Sequence, residues 1–276
     1  MPREPAVSGP QISQSATDGS GGQTLHAAFE TLLKLSLSPL LIWQGLGVRK
    51  HALILPEAGG ERAGRVGTGT PLRLLVLGDS SAAGVGVETQ DQALSGQLAR
   101  ALSADYALDW TLVAKTGATT ASTLERVQRL DPATYDVVVL AIGVNDVTRS
   151  VPLRRWLAMH GTLLSVLRTK FGAKRIYTTP LPPMGRFPVL PQPLRHVIGL
   201  TATRYDVAMA GFLSDHPDVT RLHLDLPMDP TLMASDGFHP GAEVYRIWAE
   251  HVAAAIRADF PPQAREGTNA QETGGK

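Results

Sequence analysis

Four short apolar runs, each closed by glycine or proline, constrain this chain more than any other feature. Residues 72–77 end at Gly78, 110–114 end near Gly117, 136–142 end at Gly143, and 175–179 end at Pro180. Runs of this length, rich in aliphatic and β-branched residues, read as buried strands, and 220–225 is a candidate fifth. Between them lie stretches with helical periodicity at about 92–102, 120–130, 153–171, 194–213 and 242–258. Strand and helix in repeated alternation build a parallel sheet covered by helices on both faces. Ligands of such sheets bind beyond the carboxyl ends of the strands. The residues just after each run are therefore the first candidates for function.

Composition narrows the classes. With 276 residues, 43% hydrophobic and 18% charged, the chain can bury a sizeable core in one large domain or two small ones. A formal net charge of +1 gives no overall field that would gather nucleic acid, and nucleic-acid binding is not expected. There is no cysteine, which excludes disulfides, thiolate nucleophiles and Cys-based zinc sites. Any nucleophile is then an oxygen or an amine.

The ends differ from the middle. Residues 1–24 and 261–276 are polar, without apolar periodicity, and are expected to be disordered. That leaves an apolar helix and linker at 25–70 and a folded domain at 71–260, roughly 190 residues. The apolar stretch 32–46 is broken by Lys34 and Pro39 and falls short of the ~20 residues that span a bilayer. Arg49 and Lys50 follow it rather than precede it, and no A-x-A-like cleavage site precedes the core. Secretion is disfavoured and a cytoplasmic location expected, with 32–46 packing on the domain or a partner, touching a membrane surface, or serving as an unusual export signal. Nothing in the sequence bears on oligomeric state.

The chemistry-bearing residues sit at the expected strand ends. Ser80 follows the first run in a segment of small residues, Ser81, Ala82, Ala83, Gly84 and Gly86, which would let a carbonyl approach the hydroxyl. A serine needs a neighbouring base to act as a nucleophile; its ordinary role here would be to cap the next helix. Asp236 and His239 stand three residues apart before the last helix. A carboxylate so placed can hold an imidazole in the tautomer that accepts a serine proton, although a capping Asp and a surface His are the plain alternative. Gly117 and Asn145 end the second and third runs, where a backbone N–H and an amide N–H could face a developing oxyanion together with the N–H of Ser80. A turn glycine and a capping Asn would look the same. No G-x-G-x-x-G or Walker pattern follows the first strand, and the histidines lack metal-site spacing. Neither a nucleotide, nor a metal, nor any other cofactor is expected.

Gly78-Asp79-Ser80, Gly117, Gly143-Val144-Asn145-Asp146 and Asp236-Gly237-Phe238-His239-Pro240, in this order, resemble the blocks of the SGNH/GDSL hydrolase family. The resemblance covers about residues 72–258. It implies Ser80 as nucleophile, His239 as general base with Asp236 as its partner, and an oxyanion hole of Ser80, Gly117 and Asn145. It also implies a three-layer α/β/α flavodoxin-like sandwich with a five-stranded parallel sheet, and a metal-free, two-step ester hydrolysis. Ser81 stands where the family often has leucine, and nothing before residue 71 belongs to the shared core.

The function expected is a serine esterase for short- to medium-chain acyl esters or lysolipids. A Pro-rich segment, 180–193, follows the fourth strand and carries Leu181, Met184, Phe187, Val189 and Leu190, the expected walls of a substrate site. Three alternatives stay open. One is an O-acetyl deacetylase of carbohydrates or other acetyl esters, which few aromatics (5%) disfavour. The others are acyl transfer to an acceptor other than water, and a non-catalytic binding module at a membrane or protein partner.

Overall fold

Period-two burial organises the centre of the molecule. A computed structural model describes residues 19–263 apart from Met228. Strands β1 (Ala63–Val66), β2 (Thr70–Gly78), β3 (Tyr106–Ala114), β4 (Val137–Ala141), β5 (Arg175–Thr178) and β6 (Val219–Arg221) form one sheet in the order β1-β3-β2-β4-β5-β6. Leu74 and Val76 of β2 point to one face, Leu75 and Leu77 to the other, and all four are fully buried. A strand whose two faces are both covered reads as a continuous aliphatic run, which is why it was visible in the sequence.

The helices are α1 (Gly19–His51), α2 (Leu94–Leu102), α3 (Thr120–Arg129), α4 (Val144–Thr148), α5 (Leu153–Phe171), α6 (Leu194–Leu213) and α7 (Ala242–Asp259). Leu94, Leu98 and Leu102 of α2 join Tyr245, Trp248, Val252 and Ile256 of α7 in the core on one face of the sheet. On the other face α3, α5 and α6 contribute Val127, Trp156, Leu163, Leu167, Phe171, Tyr205 and Met209. These are the three layers expected.

One correction concerns the sheet. Five strands run parallel, in the flavodoxin-type order, but a sixth, β1, pairs antiparallel with β3 at the edge. It lies in the segment read as linker, and it is mostly exposed, so no buried run announced it. Its pairing is visible in side chains: Arg65 meets its register partner Asp109 at 3.0 Å, and Gly64 leaves room for the Trp110 indole. Of the ends expected to be disordered, residues 1–18 and 264–276 lie outside the described residues, whereas residues 19–24 are the first turns of α1. Extending a formed helix is cheaper than nucleating one, even through Gly-rich sequence.

Register aligns the active edge. Gly78 of β2 pairs with both Ala114 of β3 and Ala141 of β4, so three strands end at one level. β3 and β4 lie on opposite sides of β2, and the chain crosses from one to the other between them. This switch point is where a doubly wound sheet opens a crevice.

At the opposite edge Asp136 ties β2, β4 and β5 together. Its carboxylate accepts hydrogen bonds from Arg73 N (3.0 Å) and Arg73 Nε (3.2 Å), and pairs with Lys174 at 2.9 Å. Burial raises its pKa, but these donors outweigh burial and bring it down to about 2. A carboxyl held below its unfolded pKa stabilises the fold above that value and loses the contribution as pH falls towards its folded pKa. Both cations are about half exposed, which tempers the gain. Asp136→Asn should cost about 1–2 kcal/mol at pH 7, and thermal melts should show wild type and variant converging as pH drops from 4 to 2.

Candidate active site

The Ser80 segment is a single turn that leaves β2 and is pinned from three sides. Asp79 N–H donates to Ala141 O of β4 (3.1 Å), and Ala83 N–H closes back on Asp79 O (2.9 Å). Gln90 Nε2 donates to Ala83 O (3.0 Å), and Tyr245 Oη of α7 donates to Val85 O (2.8 Å). Ser80, buried at the head of this turn, therefore has a fixed backbone. Gly86, at φ +106°, has no room for a side chain: a Cβ there would stand 2.4 Å from Pro240 O and 3.4 Å from His239 Cβ. The glycine is what lets the two loops touch.

The second loop supplies the imidazole. Residues 233–240 fold back on themselves through a bridge between Met233 and Pro240 and through Gly237 at φ +62°. His239 Nε2 lies 2.8 Å from Ser80 Oγ, and His239 Nδ1 lies 2.6 Å from Asp236 Oδ2. The other carboxylate oxygen, Oδ1, accepts the N–H groups of Phe238 (2.9 Å) and His239 (3.0 Å). Burial raises the Asp236 pKa, but the imidazole and the two amides more than offset it and keep the carboxyl below its ordinary value. An ionised Asp236 fixes Nδ1 as the protonated nitrogen and leaves Nε2 to accept from the serine. The Phe238 ring stands edge-on to the imidazole at 5.1 Å.

The third part of the site is a meeting of three loops. Asn145, on α4 directly after β4, donates its side-chain amide to Ala118 O at 3.0 Å and to Asp79 Oδ2 at 3.3 Å. It therefore stands between the loop after β3, where Gly117 lies, and the turn that carries Ser80. Among the described residues the N–H groups of Ser80 and Gly117 donate to no protein acceptor. Gly117 takes φ +76°, and its carbonyl is held by Arg149 Nη2 at 2.9 Å. The structure thus brings Ser80, Gly117, Asn145, Asp236 and His239 together. It adds a detail the sequence hid: both amide hydrogens of Asn145 have acceptors, and the bond to Asp79 is the longer of the two.

Two buried carboxylates underlie this arrangement. Asp79 Oδ1 accepts Ser81 N–H (3.1 Å), while Asp146 Oδ2 takes the N–H (2.9 Å) and hydroxyl (3.0 Å) of Thr120, fixing α4 to α3. Burial, and then repulsion from Asp146, push the Asp79 pKa up to about 7 against the pull of its hydrogen bonds. Arg149, Asp79 and Asp146 were not singled out as site residues from sequence. Asp79 and Asp146 lay within the quoted blocks, whereas an arginine after a short helix carries no signal.

Beside Ser80 opens a cavity of about 150 Å³. Its walls are the start of the Pro-rich loop (Pro180, Leu181, Pro182, Pro183, Arg186, Phe187), the strand end (Ile142, Val144), the segment after β6 (Leu224, Asp225, Leu226, Pro227), Met233 and Phe238, and the α7 residues Val244 and Trp248. Of the five loop residues expected to form it, Leu181 and Phe187 do. Met184 and Leu190 do not: Met184, at the start of the 3₁₀ turn Met184–Arg186, and Leu190 both pack in the core. Val189 does not either: it is 40% exposed and rests against Gly237. The opposite wall from β6 to α7 was missed, since its residues are ordinary apolar ones dispersed in sequence. No described group of three or more His, Asp or Glu side chains could hold a metal ion.

A carboxyl with a raised pKa binds its proton more tightly when folded, so its burial is least costly below pH 4 and becomes increasingly destabilising as pH rises through 7. Melting curves of wild type and Asp79→Asn should therefore diverge in favour of the variant between pH 5 and pH 8, by about 2–3 kcal/mol. A pH-independent difference would place the Asp79 proton elsewhere.

Comparison with known proteins identifies the family. The model of the GDSL-like Lipase/Acylhydrolase family matches residues 76–247. A GDSL-like esterase of Mycobacterium tuberculosis is 28% identical over 197 residues, covering 67% of this chain and 62% of that protein, so the chain spans less than two thirds of that relative's length. Among solved structures, the psychrotrophic esterase EstA of Pseudoalteromonas sp. has a TM-score of 0.52 at 17% identity, over 67% of this chain and 97% of its own. The acetylxylan esterase Axe2 of Geobacillus stearothermophilus has a TM-score of 0.50 at 18% identity, over 68% and 95%. At those identities the two structures share the fold. The matched span contains Ser80, Gly117, Asn145, Asp236 and His239, and the chain belongs to the GDSL-like Lipase/Acylhydrolase family.

Proposed function

We propose that this protein is a serine ester hydrolase acting through an acyl-enzyme, with Ser80 as nucleophile, His239 as general base and Asp236 as its partner. The observation that carries the reading is the unbroken hydrogen-bonded line from Ser80 Oγ to His239 Nε2 (2.8 Å) and from His239 Nδ1 to Asp236 (2.6 Å). Ser80 Oγ attacks the ester carbonyl as its proton passes to His239 Nε2, and the imidazolium that forms is stabilised by Asp236. The carbonyl oxygen, now an anion, takes the N–H groups of Ser80 and Gly117 and the Asn145 amide. The tetrahedral intermediate expels the alcohol, which leaves with the proton from Nε2. Water, losing its proton to the same nitrogen, then attacks the acyl-serine and releases the acid. No cofactor takes part in this scheme.

The cavity supports the finer substrate reading. Its walls beside Ser80 are mostly aliphatic, proline and aromatic side chains, which suits a short- to medium-chain acyl group better than a sugar. The deacetylase alternative, raised also by the likeness to Axe2, would confine hydrolysis to acetyl esters. A p-nitrophenyl ester series from acetate to octanoate separates the two: rates rising beyond acetate support an acyl-chain site, whereas activity on acetate and acetylated sugars alone favours the deacetylase.

Two variants test the roles. Ser80→Ala should lower turnover by at least about 10⁴-fold and abolish labelling by a fluorophosphonate. Asn145→Ala should lower kcat by about 10²-fold or more with KM nearly unchanged, as for loss of one oxyanion donor. A folded wild-type protein that neither reacts with the phosphonate nor turns over any ester would overturn the proposal.

A further inference from the structure

The first helix leaves a broad apolar face uncovered. α1 docks on the domain by one side only: the buried Gln44 donates Nε2 to Gln192 O (2.6 Å) and accepts Leu194 N–H at Oε1 (3.1 Å), while Val48 packs on the core. On the side turned away, Ile42, Trp43 and Leu46 are each more than half exposed, Trp43 at 71%. Pro39, Trp43, Leu46 and Lys50 follow one another at spacings of four, three and four, a single stripe on a helix. The apolar surface continues past the helix end through Leu53 and Ile54, the latter 88% exposed. A large apolar patch of this kind marks an interaction site.

Charge identifies what covers it. Between Glu30 and Glu57 there is no acidic residue, while Lys34, Arg49 and Lys50 are present, and Arg49, Lys50 and His51 close the last turn of α1. A second copy of this face would offer no anion to meet Arg49 and Lys50. Outside the described residues, 264–276 contain no large apolar residue, and 1–18 contain only Met1, Val7 and Ile12, too little apolar surface to cover the patch from within the chain. An aromatic and aliphatic stripe flanked by cations is the composition of a helix that lies in a membrane interface. No described helix is long and apolar enough to cross a membrane, so the contact would lie along the surface.

We propose that α1 and residues 52–54 dock this protein on an anionic lipid surface. Gln44 grips the end of the same Pro-rich loop whose beginning walls the cavity beside Ser80, so docking would bring that loop to the membrane. If the hydrolase reading above holds, its substrates are then esters carried in that surface. Docking itself does not depend on that reading.

The test uses the full chain with vesicles of phosphatidylcholine alone or mixed with anionic phosphatidylglycerol. Trp110, Trp156 and Trp248 are buried, so a change in emission reports Trp43. Expected are co-sedimentation with the anionic vesicles at least ~10-fold stronger than with phosphatidylcholine, a blue shift, and quenching by brominated lipid. Trp43→Ser with Leu46→Ser, and separately Arg49→Glu with Lys50→Glu, should each lose vesicle binding by ~10-fold or more while keeping the melting temperature and hydrolysis of a soluble ester. Failure to bind either vesicle overturns the proposal. So does a concentration-dependent dimer that shields Trp43 without lipid, or variants that bind vesicles as wild type does. Vesicle binding is read without ester turnover, so an inactive protein that docks refutes only the hydrolase reading.

Discussion

The side-chain amide of Asn145 is the joint on which the site depends. Its two hydrogens reach the loop after β3, at Ala118 O, and the turn after β2, at Asp79, while its own backbone belongs to the helix that follows β4. Three strands ending at one level bring these loops near each other, but register alone leaves them independent. The amide makes them one unit, and each of its partners is adjacent in sequence to a residue with an unpaired N–H. In the proposed reaction the bond to Asp79, being the longer, is the one that yields to the oxyanion, a stronger acceptor. Yielding it leaves a buried carboxyl with one donor fewer. A carboxyl whose pKa is raised towards 7 loses less by that than an anion would, because its neutral form tolerates desolvation better.

The serine and its base come from segments separated by 159 positions, and what brings them into hydrogen-bond distance is an absence of atoms. Gly86 lets the Ser80 turn pass under Pro240, and Tyr245 reaches from α7 to hold Val85 O. Both contacts connect the nucleophile turn to the segment that carries His239 or the helix just after it. The geometry of the triad is thus set by backbone contacts within a few residues of the reacting atoms. The Pro-rich loop supports the same segment from the other side, with Val189 against Gly237 and the Phe187 ring 4.8 Å from that of Phe238, as well as walling the cavity.

What could be read from the sequence follows the same logic. β2 and β4 were legible because each is buried on both faces, so that every residue of β4 is apolar and no alternation confuses the pattern. The helix spans were legible from period, and Leu153–Phe171 and Leu194–Leu213 agree to the residue. Strand β1 was not, because an exposed four-residue edge strand is defined by its partner β3 and carries no burial signal of its own. The residues that the structure gathers around Ser80 were marked by glycines and acids at strand ends. The cavity was only partly legible, because an apolar residue looks the same whether it faces a core or a pocket. Met184 and Phe187, three positions apart in one loop, are both buried in the same core, yet only Phe187 also lines the cavity.

The near-neutral net charge concealed a segregation that matters. Summed over the chain, cations and anions almost cancel, and a global sum predicts no attraction to an anionic surface. The acids, however, are absent from the long segment between Glu30 and Glu57, so the last turns of α1 and the residues after it carry cations alone. Screening confines electrostatic attraction to about 8–10 Å under physiological conditions, so a surface at that helix responds to the local charges and not to the total. The apolar stripe beside them meets the same short-range condition, since burial counts only for atoms that reach the interface. Both terms act on one face of one helix, and the polar grip of Gln44 on the loop backbone holds that face in a fixed relation to the cavity wall. An element outside the matched family core can in this way orient a site to which it contributes no reacting group.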